Sequence, residues 1–117
     1  MNRFVVLGAT ALATLVAAVP LSFARTHAST STTVNVTAKD FRFILSRRTA
    51  PHGIVVFQIV NKGKTKHDFK IAGKKTSLIR PGRRGTLRVT LKRGRYAYLC
   101  TVPGHAALGM KGVFRAT

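Results

Sequence analysis

The stretch YAYLCTVPGHAALGMKG, residues Tyr96 to Gly112, contains the only cysteine of a 117-residue chain. Tyr96, Tyr98 and Cys100 alternate with other residues, as they do on one face of a β-strand. Pro103, Gly104 and Gly109 then break the chain into a loop. Within it His105 follows Cys100 by five residues, and Met110 follows His105 by five. A strand end feeding such a loop can curl a thiol, an imidazole and a thioether back on one centre.

The same alternation runs outward from this stretch. Strands are predicted over Thr33–Ala38, within DFRFIL, over Ile54–Asn61, within HDFKIAG, within KKTSLIRPGRRG, through TLRVTLKRG, through RYAYLC, and at the closing GVFRAT. In TLRVTLKRG, Leu87, Val89 and Leu91 share a face opposite Arg88 and Thr90. SRRTAPHG reads as a turn, with Pro51 and Gly53 as its breakers. No stretch after residue 28 sustains a helical period. Seven to eight short strands with regular turns predict an all-β sandwich. LKRGRY, ending at Tyr96, has the Leu-x-x-Gly-x-Tyr spacing of a tyrosine corner, whose hydroxyl bonds back to the main chain.

The chain opens MNRFVVLGATALATLVAAVPLSFARTHA. Arg3 precedes an apolar run from Phe4 to about Ala24, and small residues at Ser22–Ala24 and Thr26–Ala28 suit a signal peptidase. Residues 1–28 are read as an export signal, with an uncleaved membrane anchor as the alternative. Residues 29–117 then form one domain outside the cytoplasm, periplasmic or secreted. Disulfides are permitted there, yet a single cysteine cannot make one within the chain.

Charge is the other outlying property. There are 21 Lys and Arg against Asp40 and Asp68, giving +19; removal of Arg3 and Arg25 with the signal lowers this by two. Such a surface favours acidic partners and speeds their encounter. A nucleic-acid role is disfavoured, because the basic residues are scattered over every turn and strand and no stacking-aromatic motif is present. Catalysis by this chain alone is also disfavoured. No Ser-His-Asp arrangement is available, the acids do not make a pair, and only His52 is spare for a second metal centre.

Thiolate, thioether and imidazole together are a soft donor set that suits copper. A trigonal His2Cys site with a long axial Met needs a second imidazole. His27 leaves with the signal, and His52 sits in the turn between Pro51 and Gly53 without a neighbouring ligand type. His67, opening HDFKI after a glycine-containing loop, is the best candidate.

VNKGKTKHDFKI and YAYLCTVPGHAALGMKGVF together resemble the cupredoxins, the blue-copper family that includes plastocyanin, azurin and rusticyanin. The resemblance covers roughly residues 33–117. It implies an eight-stranded Greek-key sandwich and one type 1 copper ion bound by His67, Cys100 and His105, with Met110 axial. It also implies that the residues following two ligands, here Asp68 and Thr101, bond to each other and pin the ligand segments together. The position after the first histidine is often Asn in that family and is Asp68 here. The implied function is one-electron carriage by a monomer. Its partner would be an acidic redox protein or an anionic membrane surface docking near His105, where Pro103, Ala106, Ala107 and Leu108 form an apolar rim and Lys62, Lys64, Lys66 and Lys111 surround it. Non-redox copper delivery is the competing reading; a single methionine after the signal disfavours storage.

Overall fold

The computed structural model describes residues 3–24 and 30–117. Residues 3–24 carry no regular secondary structure and are exposed. The Thr26–Ala28 cleavage site and His27 fall outside the described residues. Among the described residues no helix is long and apolar enough to cross a membrane.

The described residues form nine strands: β1 Thr32–Lys39, β2 Arg42–Leu45, β3 Thr49–Ala50, β4 Gly53–Asn61, β5 Lys70–Ile71, β6 Lys74–Lys75, β7 Arg84–Leu91, β8 Gly94–Leu99 and β9 Lys111–Ala116. They make two sheets, one ordered β2-β1-β4-β7 and the other β3-β9-β8-β5-β6. β1 and β4 pair in parallel, so a crossover must join them. The chain passes from one sheet to the other between β7 and β8. This is the expected sandwich.

Alternation decides which face of each strand turns inward. Val34, Val36 and Ala38 of β1 are buried, as are Val55, Phe57 and Ile59 of β4, Leu87, Val89 and Leu91 of β7, and Phe114 and Ala116 of β9. Phe57 packs on Phe69 and Phe114 at ring separations of 5.0 and 5.2 Å, and Phe43 meets Phe69 at 5.2 Å. Each fully buried phenylalanine stabilises the fold by about 1.5–3 kcal/mol through burial alone. Among the described residues every buried one lies between Val34 and Ala116, so the sandwich holds its core without residues 3–24.

The structure has one more strand than the upper expected count. β3 lies in the segment read as a turn. Its two residues pair in parallel with Arg115 and Ala116, a partner 66 positions away that no local pattern reveals. His67 also departs from expectation: it forms an isolated bridge with Ile79 instead of belonging to a regular strand. The tyrosine corner is present, with Tyr96 Oη donating to Lys92 O at 2.8 Å.

The sandwich has two poles. Gly53, Leu91, Gly94 and Ala116 lie at one, linked by the Gly53–Leu91 and Gly94–Ala116 pairings. Asn61, Cys100 and Met110 lie at the other.

Candidate metal centre

At the Cys100 pole the loop of residues 101–110 folds back on the strand end that launches it. His105 N donates to Val102 O, Leu108 N to His105 O and Met110 N to His105 O, each at 3.1 Å. Cys100 N donates to Met110 O at 3.0 Å. These bonds close the loop so that residues far apart in extended chain face one another. Gly109 has φ 121°, and a Cβ there would press on Phe41 O at 3.3 Å, so only glycine fits without strain.

His67 Nδ1, Cys100 Sγ and His105 Nδ1 converge. The two nitrogens are 3.1 Å apart, and the sulfur is 4.0 Å from His67 Nδ1 and 3.6 Å from His105 Nδ1. The three residues form a cluster whose ligand atoms all lie within 4.8 Å of one another. His67, Cys100 and Met110 are fully buried, while His105 is partly exposed. All four expected residues therefore reach the same pole, and His52 does not. His52 Nδ1 lies instead 2.9 Å from Thr117 O at the opposite pole.

The expected bond between the segments that follow two of these residues is present. Asp68 Oδ1 accepts from Thr101 N at 2.6 Å, and Asp68 Oδ2 accepts from the Thr101 hydroxyl. Asp68 is only 3% exposed, so its carboxylate is a structural tie and not a solvated turn residue. It holds the His67 segment against the Cys100 strand end.

A second carboxylate, not singled out from the sequence, acts on the other side of His67. Asp40 Oδ1 accepts from His67 Nε2 at 2.7 Å, while its two oxygens also accept from Lys64 N at 2.8 Å and the Thr65 hydroxyl at 2.9 Å. The Lys64 N–H does most to bring the Asp40 pKa down from its ordinary 3.8 to about 2; partial burial opposes this, and the Thr65 hydroxyl and His67 reinforce it. With Nε2–H committed to Asp40, the lone pair of His67 is left on Nδ1, facing the cluster. A Cβ at Gly63 would collide with Asp40 Oδ1 and lie 2.9 Å from His67 Nε2, so the glycine of VNKGKTKH permits this approach. Buried Asn61 braces the same loop, donating to Thr65 O and Ile79 O and accepting from Gly63 N, each at 2.8 Å. Phe41 was also missed. Its ring meets His105 at 4.8 Å and His67 at 6.3 Å, edge-on in both cases, and so walls the imidazoles. The one available signal was scarcity: Asp40 is one of two acids in a chain of charge +19.

Burial pushes the Cys100 thiol pKa up; the Asp68 charge adds to this, against main-chain hydrogen bonds at Asp68 and Val102. A thiolate here needs a cation beside it. Two imidazole nitrogens, one sulfur and a buried thioether, with no oxygen donor in the cluster, do not suit Ca²⁺ or Mg²⁺. This donor set fits a type 1 copper site, which takes His2Cys with a weak axial Met.

Comparison with known proteins agrees with the fold. A dithionite-reduced auracyanin from the photosynthetic bacterium Roseiflexus castenholzii superposes with a TM-score of 0.65, at 21% identity, over 74% of this chain and 97% of that one. Auracyanin B gives 0.63 at 20% identity, over 82% and 95%. Auracyanin A, described as a "blue" copper protein of the green thermophilic photosynthetic bacterium Chloroflexus aurantiacus, gives 0.60 at 16% identity, over 75% and 100%. At these identities the likeness shows the fold alone. No curated protein matches in sequence. The cupredoxin-like domain family matches residues 11–111, most of the chain, and the chain belongs to that family.

Proposed function

We propose that this chain is an extracytoplasmic type 1 copper protein that carries one electron at a time between redox partners. In this reading residues 1–28 are its export signal, and His67, Cys100 and His105 hold the ion with Met110 axial. Copper supplies the one-electron couple, Cu(I)/Cu(II), and the protein supplies everything that keeps the site from rearranging. The observation that carries the reading is the convergence of His67 Nδ1, Cys100 Sγ and His105 Nδ1 within 4.8 Å on a rigid sandwich.

Each part of the chain has a defined task. Asp40 fixes the tautomer and ring orientation of His67 from behind. Asp68 and Thr101 tie the two ligand-bearing segments together. Phe41 limits the movement of both rings and keeps water from one side of the site. The closed loop 101–110 fixes His105 relative to Cys100. A centre held this way changes oxidation state with little reorganisation, which is what an electron carrier needs. Both carboxylate side chains, Asp40 and Asp68, are engaged in these supports, which favours a carrier over a catalyst.

His105 is the partly exposed member of the cluster and is the proposed route for the electron. Leu108 is 64% exposed beside it, and Pro103, Ala106 and Ala107 complete an apolar rim. Exposed Lys62, Lys64, Lys66 and Lys111 favour an acidic partner over a basic one. Transfer to such a partner should slow as salt is raised.

The test is to add Cu(II) to residues 30–117 and record the visible spectrum and a voltammogram. One equivalent should give an intense thiolate-to-copper band and a reversible one-electron wave, and Cys100→Ser should abolish the band. Tight binding without a reversible wave would favour copper delivery instead.

A further inference from the structure

The pole opposite the metal centre carries a second feature that electron carriage does not use. Arg93, Gly94, Arg95, Arg115, Ala116 and Thr117 line an open concavity of about 660 Å³. Arg95 and Arg115 are direct cross-strand partners on the outer face of β8 and β9. Like charges placed opposite each other weaken a sheet, and among the described residues no ion pair relieves them. The only two carboxylate side chains, Asp40 and Asp68, are both engaged at the other pole. The Tyr96 hydroxyl fixes the turn that bears Arg93 by donating to Lys92 O. Exposed Arg48 stands at the same edge, its carbonyl accepting from Arg115 N at 2.9 Å.

Three guanidinium groups around one hollow match the bidentate geometry of phosphate oxygens. The path of the chain indicates where such phosphates would come from. β1 begins at Thr32, whose parallel partner is Val55, near the start of β4. The sandwich is therefore entered at the arginine pole, and the apolar run from Phe4 to Ala24 lies just upstream in sequence. Cys100 stands six residues along β8 from Gly94, about 20 Å away at strand rise. A bilayer that takes up the apolar run, during export or afterwards, meets the arginines first.

We propose that Arg93, Arg95 and Arg115 form a docking site for the phosphates of anionic phospholipids, seating the domain on the membrane by the pole remote from its metal centre. The ion cluster and His105 then face away from the bilayer, open to a partner. The inference rests on the export reading for the presence of a bilayer, and not on copper or electron carriage.

The test therefore uses metal-free protein. Residues 30–117, which contain the whole core, are sedimented with phosphatidylcholine–phosphatidylglycerol vesicles and with pure phosphatidylcholine vesicles. Binding is expected only to the anionic vesicles. The triple variant Arg93→Ser, Arg95→Ser, Arg115→Ser should bind about a hundredfold more weakly, since each such charge at an anionic surface contributes roughly fivefold. The variant Lys62→Ser, Lys64→Ser, Lys66→Ser loses the same charge at the metal pole and should bind within a few-fold of the parent. Thermal unfolding checks that each variant is folded, and the double variant Arg95→Gln, Arg115→Gln serves if the triple is not. Equal losses for the two triples would mean diffuse charge attraction and overturn the site. So would equal binding to neutral vesicles. Release from vesicles by millimolar inorganic phosphate at fixed ionic strength would assign the hollow to a free oxyanion. Arginine-dependent capture of polyglutamate without vesicle binding would assign it to an acidic protein.

Discussion

Replacing Asp68 tests how much of the domain's stability is invested in holding the two ligand segments together. The Asp68 carboxylate is 3% exposed and accepts two hydrogen bonds from Thr101, one from its main-chain N–H at 2.6 Å and one from its hydroxyl. A hydrogen bond to a charged group contributes about 1.5–3 kcal/mol net. Asp68→Ala removes both acceptors and leaves two Thr101 donors without partners, a loss of about 3–5 kcal/mol. For a domain with on the order of 5–10 kcal/mol in total, that is a third or more of its stability. Asp68→Asn is gentler. Its amide oxygen can accept from Thr101 N–H and its NH2 can donate to Thr101 Oγ1, both as neutral bonds of roughly half the strength, for a loss of about 1–2 kcal/mol. At 4–8 °C per kcal/mol, the midpoint should fall by about 5–15 °C. Denaturant unfolding of the metal-free, reduced domain measures all three states. A cycle combining Asp68→Ala with Thr101→Val should show a coupling of about 1.5 kcal/mol or more. If the two substitutions add to within about 0.5 kcal/mol, or if Asp68→Ala unfolds at the parental midpoint, the tie contributes nothing and the reasoning fails.

Two further outcomes follow from the same geometry. Because the folded state holds the Asp40 pKa at about 2 against an ordinary 3.8, its contribution to stability is complete above about pH 4 and is lost as pH falls towards 2. Unfolding of the metal-free Asp40→Asn variant should therefore lack that part of the acid limb, whereas an unchanged limb would detach Asp40 from the fold. Tyr96→Phe deletes only the bond to Lys92 O and should cost about 1 kcal/mol, or 4–8 °C in a thermal melt. Its copper spectrum should not change, since the corner lies at the far pole.

The sandwich was legible because most strands obey a two-residue period. Leu87, Val89 and Leu91 point inward as their alternation requires, and Phe114 and Ala116 do the same at the chain's end. The metal cluster was legible because Cys100, His105 and Met110 sit on one strand end and one loop, where spacing constrains geometry. His67 could be chosen by elimination among few histidines. The remainder depends on contacts between distant segments. β3 is two residues paired with the distant β9, and a proline turn masks it. Asp40 precedes His67 by 27 positions and reaches it because β1 and β4 run in parallel and deliver Asp40 and the Asn61–Thr65 loop to the same pole. Nothing local to Asp40 records that meeting. The arginine pole was equally hidden, because only the pairing of β8 with β9 brings Arg115 to Arg93 and Arg95.

The most direct measurement is a crystal structure of the copper-loaded domain with anomalous differences recorded at the copper edge. One peak is expected, within bonding distance of His67 Nδ1, Cys100 Sγ and His105 Nδ1, with the Met110 sulfur as a longer fourth neighbour. A peak at His52, coordination through His67 Nε2 in place of the Asp40 bond, or no copper at the Cys100 pole would contradict it.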